Sequence, residues 1–139
     1  MSLIEDMLSE RPDGAGTDLL AVSTCVIACF DCVQVCNACA DACLSEDMLG
    51  DMVECIRKDL NCADICAATG ATVARTGTRY GGYDGSTAAL LRACAAACHQ
   101  CAEECEQHAS EHGHCRICAE TCRRCAAMCE ELLVVMERG

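Results

Sequence analysis

The chain has 139 residues, of which 22 are acidic and 10 basic, giving a net charge of −12. That length suits one domain with a core, and the negative balance excludes a phosphate-reading surface and an anionic-membrane binder while suiting cations. There is one Phe, two Tyr and no Trp but 18 Cys, so the core has to be built from Ala, Leu, Val, Met and Cys.

The opening stretch, MSLIEDMLSERPDGAGTD, has no basic n-region, apolar h-region or twin arginine. The expected location is therefore the cytoplasm, where thiols stay reduced. No apolar run is expected to span a membrane. Residues 2–10 read as a short amphipathic helix, with Leu3, Ile4, Met7 and Leu8 free to pack on the rest of the chain or on a neighbouring subunit. We divide the chain into an N-terminal segment, 1–16, and a helical domain, 17–139.

Pro12 is the only proline, so nothing after it breaks a helix by removing a backbone donor. Four long helices and no strands are predicted. The first covers residues 18–44, capped by Thr17 or Asp18. Ser45, Glu46 and Asp47 read as the acidic approach to the second, which starts near Gly50 or Asp51 and ends near Arg75. The stretch TGTRYGGYDGS is the glycine-rich link. Ser86 is the predicted cap of the third helix, which reaches about His112, with Gly113 as a left-handed stop. The fourth covers 114–137. Short links make sequential helices antiparallel neighbours. The fold class is therefore all-α, an antiparallel up-and-down four-helix bundle with a cysteine-lined core and a short N-terminal helix.

In CVIACFDCVQVCNACADAC the cysteines Cys25, Cys29, Cys32, Cys36, Cys39 and Cys43 recur at intervals of four, three, four, three and four. Such spacing places side chains on one helix face, the stripe that a bundle buries. The run extends roughly 27 Å at 1.5 Å per residue. The third helix repeats it with Cys94, Cys98, Cys101 and Cys105, in a register continued by His108 and His112. The fourth has Cys115, Cys118, Cys122, Cys125 and Cys129, continued by Leu132 and Met136. The second has Cys55, Cys62 and Cys66, with Asp59 inside the seam and Met48 and Met52 before it. All 18 cysteines lie on seams.

A single buried cysteine is an ordinary small hydrophobe, but leucine or valine would pack these seams better. Neighbouring cysteines on one helix point in parallel and suit disulfides poorly. Iron–sulfur loops and their Cys-Pro signature are missing. The matches CNAC, CHQC, CRIC and CRRC are by-products of seam spacing, since the redox Cys-x-x-Cys motif is read beside a βαβ pattern. A catalytic role is not expected, because a core filled by its own sulfurs leaves no substrate cleft.

What remains is a soft metal held in bulk, as Cu(I) or Zn(II). Zinc favours closed sets of four ligands. Cu(I) accepts two or three sulfurs, and sharing each thiolate between two ions gives about one copper per cysteine. A zinc or general thiol buffer of metallothionein-like role is the alternative.

In an antiparallel bundle, one end gathers Cys43, Met48, Met52, His108, His112, His114 and Cys115. The other gathers Val22, Val73, Leu90, Leu91, Leu132 and Met136. The first is expected to be the metal entrance, with Met48 and Met52 helping entry and His108, His112 and His114 as ligands. Asp59, too costly in a core if ionised and unpaired, is a further ligand candidate. His99 is one step off its seam and reads as surface.

With these features the chain resembles the copper storage proteins, a family of cysteine-rich four-helix bundles, and its cytosolic branch in particular. The resemblance rests on CVIACFDCVQVCNACADAC, CAAACHQCAEECEQHASEHGHC and CRICAETCRRCAAMC. It implies several Cu(I) ions inside each bundle, histidines at the open end and a homotetramer.

Overall fold

The computed structural model describes residues 2–14, 16, 18–79 and 85–138. Five α-helices follow in order: α1 (Leu3–Ser9), α2 (Leu19–Leu44), α3 (Val53–Thr76), α4 (Ser86–Glu106) and α5 (Gly113–Arg138). A 3₁₀ turn over Leu49–Met52 leads into α3. The described residues include no strand, as predicted. The long helices pack in chain order, α2 on α3, α3 on α4 and α4 on α5, and α2 closes the ring against α5.

The helix starts differ in how they are held. Ser2 caps α1, its Oγ accepting from the Glu5 backbone N–H at 3.3 Å. Asp18 is the cap residue of α2 but its side chain makes no capping bond; Thr17, the other candidate, lies outside the described residues. Within α1, Leu8 is buried and Ile4 packs on the core, whereas Leu3 and Met7 face out. The helix therefore lies on the bundle, chiefly against α2. Arg11 reinforces this join, donating to the Arg75 carbonyl at 2.8 Å.

The link predicted as glycine-rich starts at Gly77. Its φ of +50° is open to glycine, and its N–H bonds back to the Val73 carbonyl at 2.7 Å, ending α3. The rest of that link, 80–84, lies outside the described residues. Ser86 is not the cap of α4 but its first residue; Gly85 holds the cap position, with no side-chain bond.

Two boundaries correct the sequence reading. Helix α4 stops at Glu106, not near His112. Beyond it, His108 N–H bonds to the Cys105 carbonyl at 3.0 Å and Ala109 N–H to Glu106 at 3.3 Å, a chain of tighter turns. The segment 107–112 has no apolar side chain to bury apart from Ala109, so packing gives no reason to continue the helix. Gly113 is not a left-handed stop; it opens α5 with φ outside the positive range.

By length and composition the 26-residue α2 is apolar enough to cross a membrane, although Asp31, Gln34, Asn37 and Asp41 interrupt its apolar residues. Its apolar character comes from Cys, Ala and Val, and the same residues form a core seam against α3 and α5. One such helix is weak evidence of a membrane span, because a core helix meets the same criterion.

Along the bundle axis the core changes chemistry. At one end Val22, Val73, Leu91, Leu132 and Met136 are buried as hydrocarbon, while Leu90 is half-buried. All 18 cysteines are buried and free. The opposite end opens on a polar cavity.

Candidate metal centre

The 3.5-residue spacing brings each cysteine of α2, α3, α4 and α5 inward, so sulfurs from different helices meet. Cys32 Sγ lies 3.7 Å from Cys36, 3.8 Å from Cys62 and 3.7 Å from Cys122. Cys66 lies 3.6 Å from Cys94, 3.7 Å from Cys98, 3.8 Å from Cys62 and 4.0 Å from Cys125. Cys29 contacts Cys125 at 3.9 Å, and Cys25 contacts Cys129 at 3.9 Å. These separations are far beyond a disulfide bond of about 2.0 Å. They suit ligands around an ion: at a metal–sulfur distance of ~2.3 Å, three sulfurs sit about 4.0 Å apart and four about 3.8 Å apart.

The sulfurs gather into overlapping sets whose ligand atoms all lie within 4.8 Å of one another. One set is Cys29, Cys94, Cys125 and Cys129. The next, Cys32, Cys66, Cys98 and Cys125, shares Cys125 with it. Cys32, Cys36, Cys62 and Cys122 follow, sharing Cys32. Cys36, Cys101, Cys118 and Cys122 then share two members with the set before. The sites form a chain along the core, linked through common sulfurs.

Asp59 stands in this chain as the seam register predicts, fully buried. Its Oδ1 accepts from Cys101 at 3.1 Å, Cys118 at 3.3 Å and Cys105 at 3.5 Å, and its Oδ2 accepts from Cys55 at 3.9 Å. Burial, with the Cys101 sulfur next in weight, pushes its carboxyl up to about 9. Near neutral pH the side chain is therefore an uncharged acid among thiols. Burial likewise pushes the Cys43 thiol up to about 12 and raises Cys115. Burial disfavours the thiolate throughout the core, while hydrogen bonds from neighbouring thiols favour it at Cys25, pulled down to about 5, and at Cys125, pulled down to about 7.

At the mouth, Cys39, Cys43, Cys115 and His114 form a further set. His114 Nδ1 lies 3.3 Å from Cys39 Sγ and 3.6 Å from Cys115 Sγ. Its Nε2 bonds to Glu46 at 3.2 Å. Of the three mouth histidines, His114 is the one in contact with thiols. His108 turns to Glu104, 3.0 Å away, and His112 approaches Glu46 at 2.5 Å and stacks on His114 with ring centroids 5.6 Å apart. His108 and His112 share a cavity of about 590 Å³ with Glu46, Asp47, Met48, Asp51 and Met52. Met52 is buried and Met48 exposed. His99 is on the surface, paired with Glu130 at 2.7 Å.

Sequence reasoning passed over Glu46 and Glu104. Glu104 was detectable, since it precedes His108 by four residues, one turn apart on the helix that the sequence predicts there. Glu46 meets His114 across 68 positions, a pairing that no local spacing signals.

Fold and site together define a class: a helical bundle whose core is a bank of thiol ligands in place of hydrocarbon. The copper storage protein family model matches residues 20–134, and the chain belongs to that family. It is similar to the copper storage protein Ccsp from Streptomyces lividans loaded with 10 copper equivalents, at 45% identity and TM-score 0.87, over 94% of this chain and 98% of that one. A cytosolic copper storage protein from Streptomyces lividans with five coppers is 50% identical, at TM-score 0.75, over 82% and 92% of the two chains. The Cu(I)-bound copper storage protein BsCsp3 is 34% identical, at TM-score 0.68, over 81% and 97%. The uncharacterized cysteine-rich protein YhjQ of Bacillus subtilis (strain 168) is 42% identical over 43 residues, 31% of this chain and 40% of its own length.

Proposed function

We propose that this protein stores and sequesters Cu(I) inside its bundle, without turnover, in the cytosol. The observation that carries the reading is the sharing of sulfurs between successive sets, Cys125, Cys32, Cys36 and Cys122 each belonging to two. A soft monovalent ion needing two or three sulfurs fills such a chain by bridging. Each Cu(I) that replaces a thiol proton leaves the core uncharged, so no buried net charge builds up as ions accumulate. The Streptomyces and BsCsp3 relatives, which carry copper in their structures, support the choice of metal. The cytosolic relative supports the location.

In this reading the 18 core cysteines are the ligands, with Asp59 closing one cluster and His114 the outermost. His108 and His112, with Met48 and Met52, line the entrance and pass ions inward. Copies assemble, to the tetramer the resemblance implies; the exposed Leu3, Met7, Leu20 and Phe30 support a packed outer face.

The test is titration of fully reduced, metal-free protein with Cu(I) against a chromophoric chelator, with Zn(II) run in parallel. Tight uptake to about one copper per cysteine is expected. Saturation after a few ions, with zinc holding its place against copper, would overturn the reading in favour of a zinc buffer.

A further inference from the structure

Glu46 belongs to none of the thiol sets described above; it lies in the turn between α2 and the 3₁₀ segment, yet it touches two of the mouth histidines. Its Oε2 is 3.2 Å from His114 Nε2 and 2.5 Å from His112 Nδ1. A carboxylate only accepts hydrogen bonds. The nitrogen of His114 that faces it must therefore carry the hydrogen, and in a neutral ring that leaves Nδ1 as the lone pair. Nδ1 is the atom aimed at Cys39 and Cys115. The opposite tautomer would set two acceptors, Nε2 and Oε2, against each other at the same distance.

We propose that Glu46 is a positioning residue for metal capture: it fixes His114 with Nε2 protonated and Nδ1 presented to the mouth thiols. The consequence for copper rests on the storage reading above. An arriving Cu(I) then displaces the proton of Cys115, which burial holds on the thiol and which leaves to solvent, and no proton has to leave the imidazole. A carboxylate behind a metal-binding histidine has this effect generally: it sets the tautomer and raises the basicity of the ligating nitrogen. The stacked His112, held by the same oxygen, keeps the ring of His114 from turning away.

Two readouts test this. In reduced, metal-free protein near pH 8, long-range ¹H–¹⁵N spectra should show His114 with a hydrogen-bonded Nε2–H and an unprotonated Nδ1. In E46A that Nε2–H signal should be lost to exchange or the Nδ1–H form should appear. E46Q, whose amide oxygen can still accept, should restore it. A proton on Nδ1 in the unaltered chain, or a His114 spectrum indifferent to E46A, would overturn the proposal. For copper, E46A should slow Cu(I) transfer from a chelator by about tenfold and have no further effect in the H114A background. An undiminished effect of E46A in H114A would also overturn it. Should the unaltered chain take up no Cu(I), the storage reading fails, and the spectra still decide whether Glu46 holds His114.

Discussion

Asp59 Oδ1 lies 3.1 Å from Cys101 Sγ in a fully buried position where three other thiols also reach the carboxyl group. Its proton therefore has a different cost in the folded and unfolded chains. Unfolded, the carboxyl titrates near its ordinary value of about 3.9; folded, burial holds it up at about 9. Between those values the unfolded chain has lost the proton and the folded chain keeps it. Stability then falls as pH rises, by up to about 1.4 kcal/mol per pH unit. D59N abolishes this slope. Urea midpoints of reduced, metal-free protein at pH 5 and pH 8 should show D59N gaining on the unaltered chain at the higher pH. Parallel behaviour of the two would mean that Asp59 is ionised in the core.

Copper loading should acidify an unbuffered solution. Burial keeps Cys43 and Cys115 protonated well above neutral pH; desolvation acts on every buried core thiol, offset at Cys25 and Cys125 by hydrogen bonds from neighbouring thiols. Each bridged Cu(I) should release about one proton, and affinity should weaken as pH falls. A pH-stat recording during titration checks this. Loading without proton release would mean that thiolates are preformed.

The seams were legible because a 3.5-residue interval survives any error in helix ends: Cys25 and Cys43 share a face wherever α2 begins. The buried place of Asp59 followed from the same register. Where periodicity ran out, so did the reading. The register of α4 was carried on through His108 and His112, but helix continuation there depends on burial, and the polar link offers none. Gly113 was assigned to a stop because glycine favours both ends of helices, and only the backbone angle separates the cases. Glu46 was read only as part of the acidic approach to α3, because its partners, His112 and His114, are brought to it by tertiary packing alone.

Gly70 faces α2 with no room for a side chain. A Cβ there would lie 3.0 Å from Cys29 Cβ and 3.0 Å from Phe30 Cε2. Phe30 is partly exposed and can swing aside, but the Cys29 Cβ is fixed to the backbone. G70A gains about 1 kcal/mol in helix propensity and loses about 1–3 kcal/mol to overpacking. A small net destabilisation is expected, and a larger one for G70V. Thermal melts of the metal-free protein would show it, and a stabilised G70A would mean that α2 and α3 separate readily.

Leu132 separates the roles of the two ends. It continues the cysteine register of α5 but is fully buried at the hydrocarbon end, with Leu91 and Val73 also buried there. Leu132→Ala should cost about 2–5 kcal/mol, the transfer term plus the cavity left in a packed core. It removes no sulfur, so copper capacity should be unchanged. Uptake through the histidine mouth should also keep its rate, since Cys39 and His114 lie at the far end of the seam. The checks are a urea unfolding curve for stability and a chelator competition for capacity and rate. A faster uptake in Leu132→Ala would show that ions also enter through the hydrocarbon end, and that the plug, as well as the mouth, governs access to the thiols.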